Sequence, residues 1–198
     1  MANTPVDQHY RAAWDEMTGP EAPFGWSVTE VRGVPTRVYN NAPPNMALIW
    51  AGSIAQGDNE YLVYGEESLS YAQVHQKVDA LAAHLSSVGV GHGDRVAVSM
   101  RNYPEWVVTY WATIKIGAAL VGMNAWWTTP EMEFGIVDST PKALVVDGER
   151  LERVAPVLSS LRAENPLVVL VVRSEGDLPE DALHWGDALA AAGGLPPA

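Results

Sequence analysis

The sequence contains no cysteine in its 198 residues. This absence excludes disulfide bonds, zinc sites with cysteine ligands and catalysis by a thiol. Long apolar runs are missing as well, since purely apolar stretches such as residues 167–172 are far too short to cross a bilayer. The first residues, MANTPVDQHYRAAW, lack the basic segment and apolar core of a secretion signal. A cytoplasmic protein without a transmembrane segment is therefore expected.

Basic residues are scarce. Lysine and arginine total 12 against 24 aspartate and glutamate residues, which gives a formal net charge of −12. Nucleic acids and anionic membrane surfaces both require a basic stripe, so neither is an expected partner. Hydrophobic residues make up 47% of the chain and charged residues only 18%. This composition predicts a packed core, in one domain or in one large part of a bigger protein.

Motifs for phosphate binding and nucleophilic catalysis are also missing. The sequence has no G-x-x-x-x-G-K-S/T loop and no G-x-S-x-G nucleophile elbow. The glycine-rich run GVGHGD, residues 89–94, follows a predicted helix and precedes a predicted strand. A phosphate loop needs the opposite order, so these glycines are predicted to end a helix and form a tight loop.

Titratable residues form no recognisable site. His75 and Asp79 share one helix face, but no second histidine completes a metal-binding motif, so a solvent-exposed pair is predicted. Asn102 is predicted to cap a helix. Acidic pairs are predicted to lie in solvated turns: Glu66–Glu67, Glu175 with Asp177, and Glu180–Asp181. The sequence therefore predicts no catalytic, cofactor-binding or metal-binding residue.

The first 58 residues are predicted to form a helix and an irregular arm. Thr4-Pro5 marks a helix start, and Gly19-Pro20 ends that helix. Two short strands are predicted around Gly33, followed by a helix over residues 45–55.

Residues 59–190 are predicted to form an α/β subdomain, and residues 191–198 a disordered end or a truncation point. A hairpin around Gly65 leads into Ser70-Tyr71-Ala72-Gln73, a capping box. The helix that follows carries a stripe of Val74, Val78, Leu81, Leu85 and Val88.

From Arg95 onward, apolar strands alternate with helices at least three times. The strands are solidly apolar, which is typical of strands covered on both faces. The predicted fold is therefore α/β, with a parallel sheet and helices on both of its faces.

Two adjacent tryptophans, Trp126 and Trp127, precede the helix start at Thr129-Pro130-Glu131. Large aromatic residues at this point are predicted to pack in the core and to staple the helix, with Phe134 as the candidate partner. A place in a substrate tunnel or in a dimer surface is the alternative.

The order of these elements resembles the N-terminal part of the AMP-forming acyl-CoA synthetases, a superfamily that includes luciferases and the adenylation domains of peptide synthetases. The matching segments, which fall within residues 45–190, are LSYAQV, VGVGHGDRVAV, RNYPEWVVTYWATIKIGAALVGMN and TTPEMEFGIVDSTPKALVVD. The sequence departs from the family pattern at Gln73, where glutamate is usual, and at Gly122-Met123, where Pro-Leu is usual.

The resemblance implies a reaction of a fatty or other carboxylic acid with ATP and CoA, supported by Mg. It also implies that the family's phosphate loop, adenine-binding motif, ribose aspartate, hinge and C-terminal lysine lie outside these residues. We therefore expect a subdomain that binds no cofactor by itself and whose partner is the remainder of the enzyme, with a homodimer as one possible assembly. The alternatives are a stand-alone interaction or dimerisation module derived from this fold and an unrelated flavodoxin-like binding domain.

Overall fold

The computed structural model describes residues 4–193, and the chain divides into two compact units between Leu48 and Ile49. In the first unit, helix α1 (Pro5–Thr18) begins at Thr4, which forms a capping box with Asp7. Strands β1 (Trp26–Val31) and β2 (Val34–Tyr39) form an antiparallel hairpin, as predicted. Of the predicted disordered end, residues 191–193 belong to the last helix and residues 194–198 lie outside the described part.

Helix α2 (Met46–Gly52) spans the division between the units, and a 3-10 turn (Ser53–Gln56) follows it. The single helix predicted over residues 45–55 is therefore two shorter pieces. In the second unit, strands β3 (Glu60–Tyr64) and β4 (Glu67–Ser70) form the predicted hairpin.

Helix α3 (Tyr71–Ser87) begins with the predicted capping box. The Ser70 amide donates to Gln73 Oε1 at 2.8 Å, and the Gln73 amide donates to Ser70 Oγ at 3.3 Å. The predicted stripe is buried from Val74 to Leu85, but Val88 is 37% exposed because the helix has ended there. The helix runs into Gly89, whose φ of +86° is readily adopted only by glycine.

A five-stranded parallel sheet forms the centre of the second unit within the described residues. Its strands are β5 (Arg95–Ser99), β6 (Ala119–Gly122), β7 (Ala143–Asp147), β8 (Val168–Val172) and β9 (Ala182–His184). They lie in the order β6-β5-β7-β8-β9, and every neighbouring pair is parallel. Strand β7 is buried along its whole length, as its unbroken apolar sequence predicts.

Helices cover both faces of this sheet, so the predicted α/β architecture is confirmed. Helix α3, helix α4 (Pro104–Lys115) and helix α7 (Trp185–Gly193) contribute to one apolar cluster with one face of the strands. Helix α5 (Thr129–Ser139) and helix α6 (Gly148–Glu164) contribute to a second cluster with the other face. Within residues 4–193, no helix is long and apolar enough to span a bilayer.

Three local predictions differ from the structure. Strand β9 was not predicted, and its last residue, His184, was predicted as the start of the last helix, which begins at Trp185. The N-cap of helix α4 is Tyr103, whose side chain makes no capping bond, so the cap predicted at Asn102 is wrong. Helix α5 begins at Thr129, but its cap is Thr128, whose amide donates to Glu131 Oε2 at 2.8 Å, while the side chain of Thr129 donates to the carbonyl of Arg153.

Candidate functional site at the carboxyl edge of the sheet

The carboxyl edge of the parallel sheet contains the point where the strand order reverses. From β5 the chain proceeds to β6 on one side, and it later returns to place β7 on the other side of β5. Ligands of doubly wound sheets bind outside the carboxyl ends of the strands at such a reversal. The residues that follow β5, β6 and β7 therefore form the candidate site.

Asp147, the last residue of β7, connects these strand ends. Its Oδ2 accepts the backbone amide of Arg101, at the end of β5, at 3.1 Å. Its Oδ1 accepts the amide of Arg150 at 3.0 Å and so caps helix α6. The guanidinium of Arg150 also approaches Asp147 to 3.1 Å, and both side chains are almost fully buried.

The loop after β6 is held by two arginines through its backbone carbonyls. Arg150 Nε donates to the Ala125 carbonyl at 2.7 Å. Arg153 Nη1 donates at 3.1 Å to the carbonyls of Ala125 and Trp127. The loop carrying the two tryptophans is therefore fixed to the start of helix α6.

The two tryptophans of this loop have different environments. Trp127 packs against the second apolar cluster, as predicted, and its ring lies against Gly135 in helix α5. Trp126 is 65% exposed, so its predicted place in the core is wrong. Phe134 is 71% exposed and is not the partner that staples the helix.

The guanidinium carbon of Arg101 lies 4.5 Å from the centre of the Trp126 ring, within the range of a cation–π interaction. We call these two residues the Trp126–Arg101 pair. Among residues 4–193, no hydrogen bond or ion pair occupies the guanidinium of Arg101. The pair therefore presents an aromatic ring and a positive charge to solvent at the point where the strand order reverses.

A concavity, the β8–β9 cleft, lies further along the same edge and has a volume of about 710 Å³. Arg173 lines it and has a left-handed backbone conformation, with φ of +47°. Its guanidinium binds both oxygens of Glu67, at 2.8 and 2.7 Å, and also binds Glu105. These bonds raise the pKa of Arg173 and lower that of Glu67. The charge of Arg173 in this cleft is therefore already paired with two carboxylates, and these bonds give it a structural role.

The structure places the residues singled out in the sequence away from this edge or in structural roles. His75 is buried, stacks on Trp50 with ring centres 3.9 Å apart, and lies 3.0 Å from Ser53 Oγ, so its predicted exposure is wrong. Burial lowers the pKa of His75. Asp79 pairs with Lys115 instead. In the described chain, no group of three or more histidine or acidic residues could hold a metal ion.

The glycine-rich run at residues 89–94 lies at the amino end of β5, opposite the candidate site. Gly89 and Gly93 have φ values of +86° and +82°, and the Gly89 amide donates to the Ser86 carbonyl at 3.1 Å. This geometry confirms a helix end and a tight loop. Glu67, in contrast, was predicted to be solvated, but it binds Arg173.

Three residues of the candidate site were not singled out from the sequence: Arg101, Asp147 and Arg150. A usable signal was present, because polar residues that directly follow buried parallel strands meet at one edge of the sheet. Asp147 ends a run of four apolar residues, and Arg101 follows another such strand by two residues.

Comparison with known proteins identifies the family. The sequence profile of the AMP-binding enzymes matches residues 52–195, which is most of the chain. The chain belongs to this family. Its order of elements and its parallel sheet are those of the N-terminal part of an acyl-adenylate-forming CoA ligase, so the resemblance seen in the sequence is confirmed.

Two of the curated relatives are named as CoA ligases. A medium/long-chain-fatty-acid–CoA/3-oxocholest-4-en-26-oate–CoA ligase of Mycobacterium marinum is 37% identical over 120 residues, covering 61% of this chain and 22% of the relative. The probable CoA ligase CCL9 of Humulus lupulus is 36% identical over 100 residues, covering 50% of this chain and 19% of the relative. The chain spans about a fifth of the length of these relatives.

Solved structures share the fold. The anthranilate CoA ligase AuaEII, in complex with anthranoyl-AMP, superposes with a TM-score of 0.69 at 23% identity and covers 78% of this chain and 29% of its own. A benzoate CoA ligase from Burkholderia xenovorans LB400 superposes with a TM-score of 0.64 at 17% identity, covering 75% of this chain and 29% of its own.

Proposed function

We propose that this chain is the N-terminal part of a cytoplasmic ligase that converts a fatty or other carboxylic acid to its CoA thioester. In the first step a carboxylate oxygen attacks the α-phosphorus of Mg·ATP, and pyrophosphate leaves. In the second step the CoA thiol attacks the acyl carbon, loses its proton, and AMP leaves. The match to the AMP-binding enzymes over residues 52–195 is the observation that carries this proposal.

A fatty acid is the proposed substrate class. The support is the 37% identity with the Mycobacterium marinum ligase, whose name includes medium- and long-chain fatty acids. Aromatic acids are less well supported, because a 3-hydroxybenzoate–CoA/4-hydroxybenzoate–CoA ligase of Thauera aromatica is 30% identical to this chain and the structural neighbours named for aromatic acids are 17–23% identical.

The chain by itself is proposed to be inactive. No glycine-rich strand-to-helix loop of the kind that grips ATP phosphates occurs among residues 4–193, where the glycine-rich run lies at the wrong edge of the sheet. We propose that the remainder of the ligase supplies this grip and the catalytic lysine. The contribution of this chain is then the scaffold and the edge that carries the Trp126–Arg101 pair.

The test uses a longer protein of about the length of the relatives that contains this chain as its N-terminal part. With Mg·ATP and a series of fatty acids, we expect pyrophosphate release and, in hydroxylamine, an acyl hydroxamate from the trapped adenylate. Residues 1–198 alone, assayed in parallel, should give neither product. A longer, folded protein that forms no adenylate with any acid of the series would contradict the proposal.

A stand-alone interaction module remains the second candidate. Trp126, Phe134 and Val137 are exposed apolar residues on and before helix α5, and they favour a contact surface in this region. Sedimentation analysis of residues 1–198 tests this candidate. A stable homodimer that is lost in Phe134→Ser but unaffected by Val63→Ser, a change of an exposed apolar residue in the β3–β4 hairpin, would support the module.

A further inference from the structure

We propose that the free edge of strand β6 binds the same edge of a second copy of this chain, as an antiparallel pair of strands centred on Val121. The contact joins the two parallel sheets into one continuous sheet. It concerns the assembly of the protein and uses no residue of the candidate site, so it goes beyond the proposed function.

The outer edge of β6 carries unpaired backbone groups. The Met123 amide, directly after the strand, donates to the Val98 carbonyl of β5 at 2.9 Å. Successive residues of a strand direct their amides and carbonyls to alternate sides, so Gly122 and Leu120 direct theirs away from β5. Among residues 4–193, no hydrogen bond engages these outward groups. They form a row of free donors and acceptors that fits another strand.

The two edges of this sheet differ in their protection against pairing. Strand β9, at the other edge, directly follows Pro179, Glu180 and Asp181. Arg162 also covers that end, because its guanidinium donates to the carbonyls of Glu180 and Asp181 at 2.7 and 3.0 Å. Proline, charge and a covering group are devices by which proteins prevent edge pairing. Strand β6 lacks the first two, since residues 116–123 contain neither a proline nor a charged residue.

Gly122 is the residue that leaves this edge open. A Cβ atom added there would meet nothing within 4 Å, and the backbone is not in the left-handed region, so the fold itself does not require glycine. The family pattern has proline at this position, and proline has no amide hydrogen to donate at an edge. A segment common to the whole family is therefore not the expected occupant, which favours a second copy.

Two copies of this edge are complementary when their strands run antiparallel. With Val121 opposite its own counterpart, the Gly122 amide of each copy meets the Leu120 carbonyl of the other, and the Leu120 amide meets the Gly122 carbonyl. A two-fold axis through this point repeats the contact, so all of these free groups are paired. Each chain carries a net charge of −12, and an uncharged strand lets two copies meet without charge repulsion at the contact.

The contact is small, because one short strand buries far less than the roughly 1,600 Å² of a standard interface. We therefore expect a weak dimer, with a Kd on the order of 100 μM. Added salt should strengthen the association, because it screens the repulsion between the two net charges.

The test uses residues 1–198 in sedimentation and amide-exchange measurements. Sedimentation between about 10 μM and 1 mM protein should show a dimer that grows with concentration. With nitrogen-15 labelling, exchange of the Gly122 amide with deuterium should slow by about three-fold or more over the same range. The Gly33 amide, in the exposed turn of the β1–β2 hairpin, is the internal control and should exchange at a constant rate.

Three substitutions at one position separate the amide from the side chain. Gly122→Pro removes the donor and should abolish the dimer, whereas Gly122→Ala keeps the amide and should leave the Kd within about two-fold. Gly122→Lys keeps the amide as well, but it brings like charges together at the edge and should weaken association by about five-fold or more. Urea denaturation of each variant checks that the monomer is folded.

Three results would overturn the proposal. One is a protein that stays monomeric at every concentration. Another is a dimer that survives Gly122→Pro, and its loss in Phe134→Ser would place the contact on helix α5 instead. The third is a longer protein that is monomeric yet protects the Gly122 amide at all concentrations, because the remainder of the ligase then covers the edge. Acyl-adenylate formation is measured separately, so failure of the proposed ligase leaves these results unchanged.

Discussion

The ring of Trp127 lies so close to Gly135 that a Cβ atom added to this glycine would come within 2.7 Å of Cζ3. Gly135 lies in the interior of helix α5, where glycine usually destabilises a helix. Its presence is explained by this contact, because any larger residue would push the indole out of the second apolar cluster. The contact is also the actual anchor of the helix start that the sequence analysis assigned to Phe134.

Gly135→Ala should destabilise the protein. Helix propensity alone predicts a gain of about 1 kcal/mol, but displacing a packed ring costs about 1–3 kcal/mol, so the net change is expected to be unfavourable. Urea denaturation measures it. In a protein that already carries Trp127→Ala, Gly135→Ala should instead raise the free energy of unfolding, because no ring is displaced. An equal effect of Gly135→Ala with and without Trp127 would show that the ring and the helix do not interact.

The two tryptophans should differ in their effect on stability. Trp127→Ala removes a packed ring and should lower the free energy of unfolding by about 3 kcal/mol or more. Trp126→Ala removes an exposed ring and should change it by less than about 0.5 kcal/mol. Thermal unfolding of both variants checks the difference, and a similar loss in both would contradict the assigned environments.

The capping box should contribute to stability and not to chemistry. Ser70→Ala removes the oxygen that accepts the Gln73 amide, and should cost about 1 kcal/mol. Gln73→Glu should be neutral or slightly stabilising, because a carboxylate in the first turn meets the positive end of the helix dipole. Melting temperatures test both changes. In the longer protein, loss of acyl-adenylate formation in a folded Ser70→Ala variant would reveal chemistry at this junction.

Acid should destabilise the protein in two separate ranges of pH. Burial lowers the pKa of His75 and His84 below the ordinary value of 6.5, so unfolding takes up protons and stability falls as pH drops below about 6.5. The hydrogen bonds that lower the pKa of Glu67 and Glu131 are lost only below the ordinary value of 4.5. Stability falls with decreasing pH in both ranges, because in each case the unfolded chain binds more protons than the folded chain.

Chemical denaturation between pH 7.5 and 5 separates the histidine contribution. His84→Gln should flatten the dependence of stability on pH in this range, whereas His9→Gln, which changes an exposed histidine of α1, should not. An unchanged slope in the His84 variant would show that this buried ring does not resist protonation.

The sequence predicted most of the fold because its strands and caps are local signals. The solid apolar run at residues 143–146 and the Ser70–Gln73 box each determine an element without distant contacts. Strand β9 was missed since it has only three residues, of which Leu183 is 43% exposed. Its pairing with β8 is a tertiary contact that no local pattern encodes.

The candidate site was predictable only in part. Asp147 and Arg101 could have been found from their places after buried strands. The exposure of Trp126 beside the packed Trp127 could not be predicted. It depends on Arg150 and Arg153, which are distant in the sequence and fix the carbonyls of the loop, and thereby direct one ring inward. His75 was misplaced for the same reason, since its burial depends on Trp50.

The measurement that tests the central claim most directly is calorimetric titration of residues 1–198 with Mg·ATP. If the chain is the scaffold part of a ligase whose phosphate grip lies elsewhere, the titration should show no saturable heat, since the described residues form no glycine-rich loop between a strand and a helix that could hold the phosphates. Saturable binding with a Kd near 1 μM, equivalent to about −8 kcal/mol, would require a complete ATP site within this chain and would contradict the account.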